Sequence, residues 1–269
     1  MILQGGMRMK IFIISRKKIY ICFVILFIIL IVSSIYVQGY SLVKQDSTVE
    51  DEFDNKVKEL CNRREKVAYL TFDDGPTKNI TPKVLDILKE ENVKATFFVI
   101  GKSVENYPEI VKRAYEEGHY IANHGYSHNN ENLYKSEESF VNEIRKTDEA
   151  IGKAIGIENY SSHIFRFPNG FMSPLYKSKK KNMAKVLTEM GYTYIDWNSL
   201  NNDSIKKYTK AQLTDNLKKS SKGKGTLVIL MHDTKDVSNS SEALKESIEY
   251  LKSEGYTFEN FYNIIEKLI

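Results

Sequence analysis

The chain has 269 residues, 42% of them hydrophobic and 28% charged, enough to bury a full core in one large domain. Its formal net charge of +4 is set by five basic residues before an early apolar run, after which 34 Lys+Arg face 35 Asp+Glu. That balance excludes nucleic-acid binding driven by overall basicity, and two cysteines, Cys22 inside the run and Cys61 beyond it, exclude a disulfide scaffold.

Residues 1–18 carry Arg8, Lys10, Arg16, Lys17 and Lys18 and no acidic residue. Residues 19–37 follow without a charge (IYICFVILFIILIVSSIYV). At about 1.5 Å per residue they span roughly 28 Å, enough for a hydrocarbon core. The positive-inside rule then keeps the N-terminus cytoplasmic and places everything after residue 40 outside. A cleaved signal peptide is the rival reading, but Ser33-Ser34-Ile35-Tyr36-Val37-Gln38-Gly39 matches a small-x-small cleavage site poorly. Residues 38–65 are polar and aperiodic, an extracytoplasmic stalk with one short helix expected over 49–61.

From 66 to 269 apolar β-prone segments alternate with amphipathic ones. Strands are expected at 67–72, 95–100, 120–123, 164–166, 192–196 and 226–231. Helices are expected at 81–91, 108–117, 137–155, 181–190, 209–220 and 242–254, with Gly118, Gly191 and Gly255 as stops. Such alternation predicts an α/β fold with a parallel sheet, either open and doubly wound or a barrel, which periodicity alone does not separate. The cluster Lys177-Ser178-Lys179-Lys180-Lys181 reads first as a solvated helix start and second as a contact for an anionic polymer.

The polar residues at the strand ends point to chemistry. Thr71-Phe72-Asp73-Asp74-Gly75-Pro76-Thr77 puts two adjacent carboxylates at the end of a strand, where their repulsion requires a cation or an Arg. His124-Gly125-Tyr126-Ser127-His128 offers two imidazoles four residues apart, which face one way if the segment is helical. Two His and one carboxylate form a common zinc set with a position left for water. One Asp binds the ion, and the other takes a proton from the attacking water. Arg166, in Arg166-Phe167-Pro168-Asn169-Gly170, is suited to hold that second carboxylate ionised and oriented. His232, in Leu230-Met231-His232-Asp233, is expected as a general acid, with Asp196 orienting it and raising its pKa. Trp197 is read equally as a core aromatic or a pocket wall. His119 and His163 are read as structural or solvent-facing, because neither ends a strand among other polar groups.

In order, TFDDGPT, HGYSH, RFPNG, the Asp196-Trp197 segment and LMHD resemble the five motifs of polysaccharide deacetylases, the NodB-homology group or carbohydrate esterase family 4. The resemblance covers about residues 65–260 and is loosest at the fourth motif. It implies a distorted (β/α) barrel with fewer strands than the regular eight. It also implies Asp73 as catalytic base, Arg166 as its tether, His232 as acid and Asp196 as that acid's support. Asp74, His124 and His128 would bind one divalent ion, zinc in the first instance, with cobalt or another ion as alternatives. Leu230 would shape the acetyl pocket, and the backbone amide of Asn169 would face the oxyanion, although that position is often aromatic in relatives. A membrane-tethered member resembles bacterial peptidoglycan N-acetylglucosamine deacetylases, so the expected partner is cell-wall glycan, with membrane contact through 19–37 and no nucleic acid. The alternatives are a chitin-oligomer deacetylase, an O-acetyl-xylan esterase with the same machinery, or an inactive glycan-binding scaffold.

Overall fold

The computed structural model describes residues 28, 30–34, 65–234 and 239–263. The chain divides into two compact units, 1–53 and 54–269. In the first, the described residues 28 and 30–34 are helical and exposed, and no helix among the described residues is long and apolar enough to cross a membrane. The segment 19–37 lies largely outside the described residues. The helix expected at 49–61 and both cysteines lie wholly outside them.

The second unit alternates strands and helices. The strands are β1 (Val67–Asp73), β2 (Thr96–Val99), β3 (Tyr120–Asn123), β4 (Ile164–Phe165), β5 (Thr193–Tyr194), β6 (Ser199–Leu200), β7 (Leu227–His232) and β8 (Thr257–Glu259). The helices are α1 (Thr81–Glu90), α2 (Gly101–Asn106), α3 (Pro108–Glu116), α4 (Asn130–Leu133), α5 (Glu137–Ile155), α6 (Lys177–Glu189), α7 (Lys210–Ser221) and α8 (Asn239–Ser253). All the strand pairings are parallel, in the order β5-β4-β3-β2-β1-β7-β6. β7 covers one edge of β1 over 68–73. β8 and β2 therefore divide the other edge, β8 beside 67–69 and β2 beside 71–73. Eight strands are described, seven in the barrel path, fewer than the regular eight as expected, and the short β8 forking from β1.

β5 and β6 end the order and do not pair, yet only residues 195–198 join them. Five Cα spacings reach at most about 17 Å. The sheet must therefore curl until its two edges nearly meet, which makes it an open-seamed barrel with residues 195–198 along the seam.

Period-two alternation sorts the side chains. From β1, Ala68, Leu70 and Phe72 join Leu227, Ile229 and Met231 of β7 in the core under the helices, with Val84, Leu88, Ile151, Leu244 and Ile248. The intervening residues face the barrel interior, where Tyr69, Phe98, Tyr120, Ala122, Ile164, Ile195, Val228 and Phe261 form a second cluster. On the same reasoning Thr71 and Asp73 of β1, and Leu230 and His232 of β7, point inward. Local signals fix the helices. Ser136 caps α5 by accepting from the Ser139 N–H, and Gly156 ends it in the left-handed region at φ 77°. Thr209 and Gln212 form a reciprocal capping box on α7.

Candidate metal and catalytic site

The strand ends of the inner face converge on one polar cluster. Alternation alone would send Asp74 away from Asp73, toward the helices. Its left-handed φ of 76° breaks that pattern as the strand ends. Asp74 Oδ1 then lies 3.4 Å from His124 Nε2 and 3.2 Å from His128 Nε2. The three ligand atoms all lie within 4.8 Å of one another.

His124 follows β3, and its Nδ1 donates to the Arg166 carbonyl at 2.8 Å. A carbonyl only accepts, so in the neutral ring the Nε2 lone pair faces Asp74. The expectation that a helix aligns the two imidazoles is corrected. Residues 124–128 are a loop, and positive φ at Gly125 (84°) and His128 (52°) brings the rings to 5.2 Å between centroids. Glu143 of α5 braces this loop, accepting from the N–H groups of Tyr126 and Ser127 and from the Ser127 hydroxyl, each at 2.8 Å.

A cation fits the donor set. Asp74 Oδ1 is buried without a hydrogen-bond partner among the described residues, while two imidazole nitrogens point at it. Burial opposes charge on Asp74, but contact with His124 and the charges of His124, His128 and His232 hold its carboxyl well below the usual range. Burial pushes His128 down, whereas Asp73 and Asp74 outweigh burial at His124 and push it up. Protons and a divalent ion therefore compete for these nitrogens, and metal affinity drops as the pH is lowered.

Arg166, fully buried just after β4, organises the base position. One terminal nitrogen donates to Asp73 Oδ1 and to the Thr71 hydroxyl, both at 2.8 Å. Nε donates to the Ile195 carbonyl at 3.0 Å, and the other terminal nitrogen to the Asp196 carbonyl at 3.2 Å. The guanidinium also lies 4.0 Å from the Phe98 ring centroid. A buried ion pair is tolerable when its remaining donors find acceptors, as they do here.

On the other flank of β1, His232 is register partner to Asp73. Here one expectation fails. Asp196 does not support His232; Asp203 does, with Oδ1 at 2.7 Å from Nδ1 and Oδ2 accepting the His232 backbone N–H at 2.8 Å. Asp196 instead accepts the N–H groups of Phe171 and Met172 at 2.8 and 2.9 Å. The cause is the seam, which turns Asp196 toward the loop after Arg166, while the chain joins β7 at 199–200 and reaches the level of His232 only at Asp203. Against the cost of burial, Asp203, with Asp73 and Asp74, pushes His232 up to about 9. The imidazolium is present below that pH and lost above it, so activity that needs its proton should fall as pH rises through about 9. Asp203→Asn should move that basic limb of the pH–rate profile downward by roughly one to three pH units.

Asp233 locks the loop carrying the two carboxylates. Its backbone N–H donates to the Asp73 carbonyl at 3.2 Å, its Oδ2 accepts from the Thr81 hydroxyl at 2.6 Å, and its carbonyl accepts from the Thr77 hydroxyl at 2.8 Å. The carboxylate lies flat against Gly75, where an added Cβ would stand 2.2 and 2.4 Å from its oxygens. Gly75→Ala should therefore cost about 1–3 kcal/mol of stability, read as a lower denaturation midpoint, and should loosen metal retention through the neighbouring Asp74.

Leu230 is buried on the inner face two residues before His232. Trp197 packs partly buried against the interior cluster, with the Arg166 guanidinium 5.7 Å from its ring. Asn169 adopts φ 64°, and its side-chain oxygen accepts from Asn130. His119 is buried and accepts the Ala95 N–H, and burial pushes it down to about 3. His163 is half-buried, its Nδ1 3.3 Å from the Gly191 carbonyl. The lysine cluster does start a helix, α6, but Lys180 is not solvated: it is 1% exposed and donates to the Gly170 carbonyl at 2.5 Å. Asp203 and Glu143 are residues that the sequence leaves unmarked, and Lys180 is marked there only as one of a charge cluster.

A buried Asp-Arg pair, an Asp-His pair and an Asp/His/His cluster, gathered at the C-terminal ends of parallel strands, define a hydrolase-type site able to hold a divalent ion. A polysaccharide deacetylase family model matches residues 61–195. The chain is 39% identical over 193 residues to a peptidoglycan-N-acetylglucosamine deacetylase of Bacillus cereus, covering 70% of this chain and 64% of that protein. It is 32% identical over 206 residues to the peptidoglycan-N-acetylmuramic acid deacetylase PdaA of Bacillus subtilis, covering 77% and 74%. The solved catalytic domain of a peptidoglycan N-acetylglucosamine deacetylase from Eubacterium rectale superposes with a TM-score of 0.67 at 32% identity, covering 74% of this chain and 90% of that one. The chain belongs to the polysaccharide deacetylase family.

Proposed function

We propose that this protein is a metal-dependent hydrolase that removes N-acetyl groups from N-acetylglucosamine residues of cell-wall peptidoglycan, releasing acetate. The observation that carries the reading is the pairing of Asp73 with His232 across adjacent strands, beside the Asp74, His124 and His128 cluster.

Those three residues would hold the cation, which when bound supplies Lewis-acid polarisation of the acetamide carbonyl. Asp73, oriented by Arg166, takes a proton from the water that adds to the acetyl carbon. The Asn169 N–H, which has no acceptor among the described residues, donates to the oxygen that gains negative charge. His232 gives its proton to the nitrogen as the carbon–nitrogen bond breaks, so that glucosamine leaves as an amine. Trp197 and Leu230 border the acetyl end. The charge-free run 19–37 behind a basic N-terminus supports a single-pass anchor with the catalytic unit outside the cell.

The likeness to an N-acetylmuramic acid deacetylase makes that sugar the second reading. The test is acetate release from purified wall, muramic-acid-containing fragments, chitin oligomers and acetylxylan, with zinc, cobalt or other divalent ions restored after chelation. Release from N-acetylglucosamine of wall glycan, abolished by chelation, is the expected result. Faster release from acetylxylan would favour an esterase, and glycan binding without release under any metal would favour an inactive scaffold.

A further inference from the structure

Asp196 is a buried carboxylate that serves neither the Asp74, His124 and His128 cluster nor His232. It meets a second unexplained group, the buried ammonium of Lys180. Both act on one short turn, residues 169–172. Lys180 Nζ donates to the Gly170 carbonyl at 2.5 Å. Asp196 takes the next two N–H groups, Phe171 on Oδ1 at 2.8 Å and Met172 on Oδ2 at 2.9 Å. The Gly170 N–H donates to the Phe167 carbonyl at 2.8 Å. The Trp197 ring closes the remaining side so tightly that a Cβ on Gly170, at φ 77°, would lie 2.8 Å from it. Acceptors and donors of three consecutive residues are thus fixed by two opposite charges, one on the seam and one on α6.

Burying an ammonium and a carboxylate is costly unless their hydrogen bonds are satisfied, and here the satisfying partners are main-chain groups of a loop. A loop held this way has its backbone direction imposed from outside. The residue whose direction is imposed is Asn169, immediately before Gly170 and itself left-handed at φ 64°. The same strand exit also holds Arg166 through the carbonyls of Ile195 and Asp196, so the turn and the tether of Asp73 share one rigid mount.

We propose that Asp196 and Lys180 are positioning residues that clamp the 169–172 turn and fix the Asn169 N–H against the reacting acetamide. The catalytic consequence rests on the deacetylase reading above; the clamp itself does not.

The full chain, loaded with zinc, is compared as wild type, Asp196→Asn and Lys180→Met. Amide exchange is followed at Phe171 and Met172, and acetate release from wall glycan is followed across pH. In both variants exchange should rise at least about tenfold. The turnover number should drop about 10- to 100-fold, below the roughly 10²–10³ of deleting one oxyanion donor, with KM within about twofold, metal content unchanged and the basic limb of the pH profile unmoved. A purely structural role would lower the denaturation midpoint while leaving turnover per folded molecule intact, and would overturn the catalytic part. Unchanged exchange in both variants would overturn the clamp. A shifted basic limb in Asp196→Asn would return that residue to His232 and overturn the assignment. If wild type releases no acetate from any substrate, the deacetylase reading fails, and the exchange result still decides the clamp. Should Asp196→Asn not fold, Lys180→Met carries the same readouts.

Discussion

Asp73→Asn should lower the turnover number for acetate release by about 10²–10⁴-fold, the span of a lost general base, with metal content and fold nearly unchanged. The amide keeps the shape of the carboxylate and one acceptor oxygen for Arg166, whose other donors still reach Thr71, Ile195 and Asp196. What is lost is the ability to take a proton. Alanine at the same position is a poorer experiment, because it strands a fully buried guanidinium, a change that costs about 3–5 kcal/mol in such pairs. Turnover and metal stoichiometry measured together separate the cases. An Asn variant that keeps more than a tenth of wild-type turnover would remove Asp73 from the base role.

His124→Ala should act in the opposite order, losing the metal first and activity as a result. The substitution deletes one of three converging ligand atoms and also the imidazole N–H held by the Arg166 carbonyl. Removing an outer contact of a ligand commonly weakens metal binding about 10–100-fold, and removing the ligand itself should exceed that. Metal content after exhaustive dialysis is the measurement. Full retained occupancy would refute the assignment of this cluster as the metal site.

Much of this arrangement is legible in the chain, and its limits have physical causes. The 67–72 and 226–231 runs are long and apolar enough to identify as strands, and both end at charged residues that the structure brings together. β3 and α5 have the bounds expected, because the Ser136 cap and the Gly156 stop are local signals. β6 and β8, with two and three residues, are too short to show a period, as is the four-residue α4. The spacing of His124 and His128 singles out the two imidazoles that converge on Asp74, but not the loop that aligns them, which depends on left-handed backbone. Asp203 carries no local mark: it sits in an aperiodic stretch, and only the return of the chain beside β7 selects it over Asp196. Lys180 is hidden for the opposite reason, since it stands among three other lysines that read as solvated charge until packing singles one out.

The gap between the two terminal strands of the sheet has its own consequence. Ile195 and Asp196 lie between β5 and β6 and belong to neither, so no strand ladder takes their carbonyl oxygens. They become sockets for a guanidinium, and the charged side chain sits at full depth. Two main-chain oxygens that the sheet leaves unclaimed are thus what allow a permanent positive charge to be stored at the heart of the molecule.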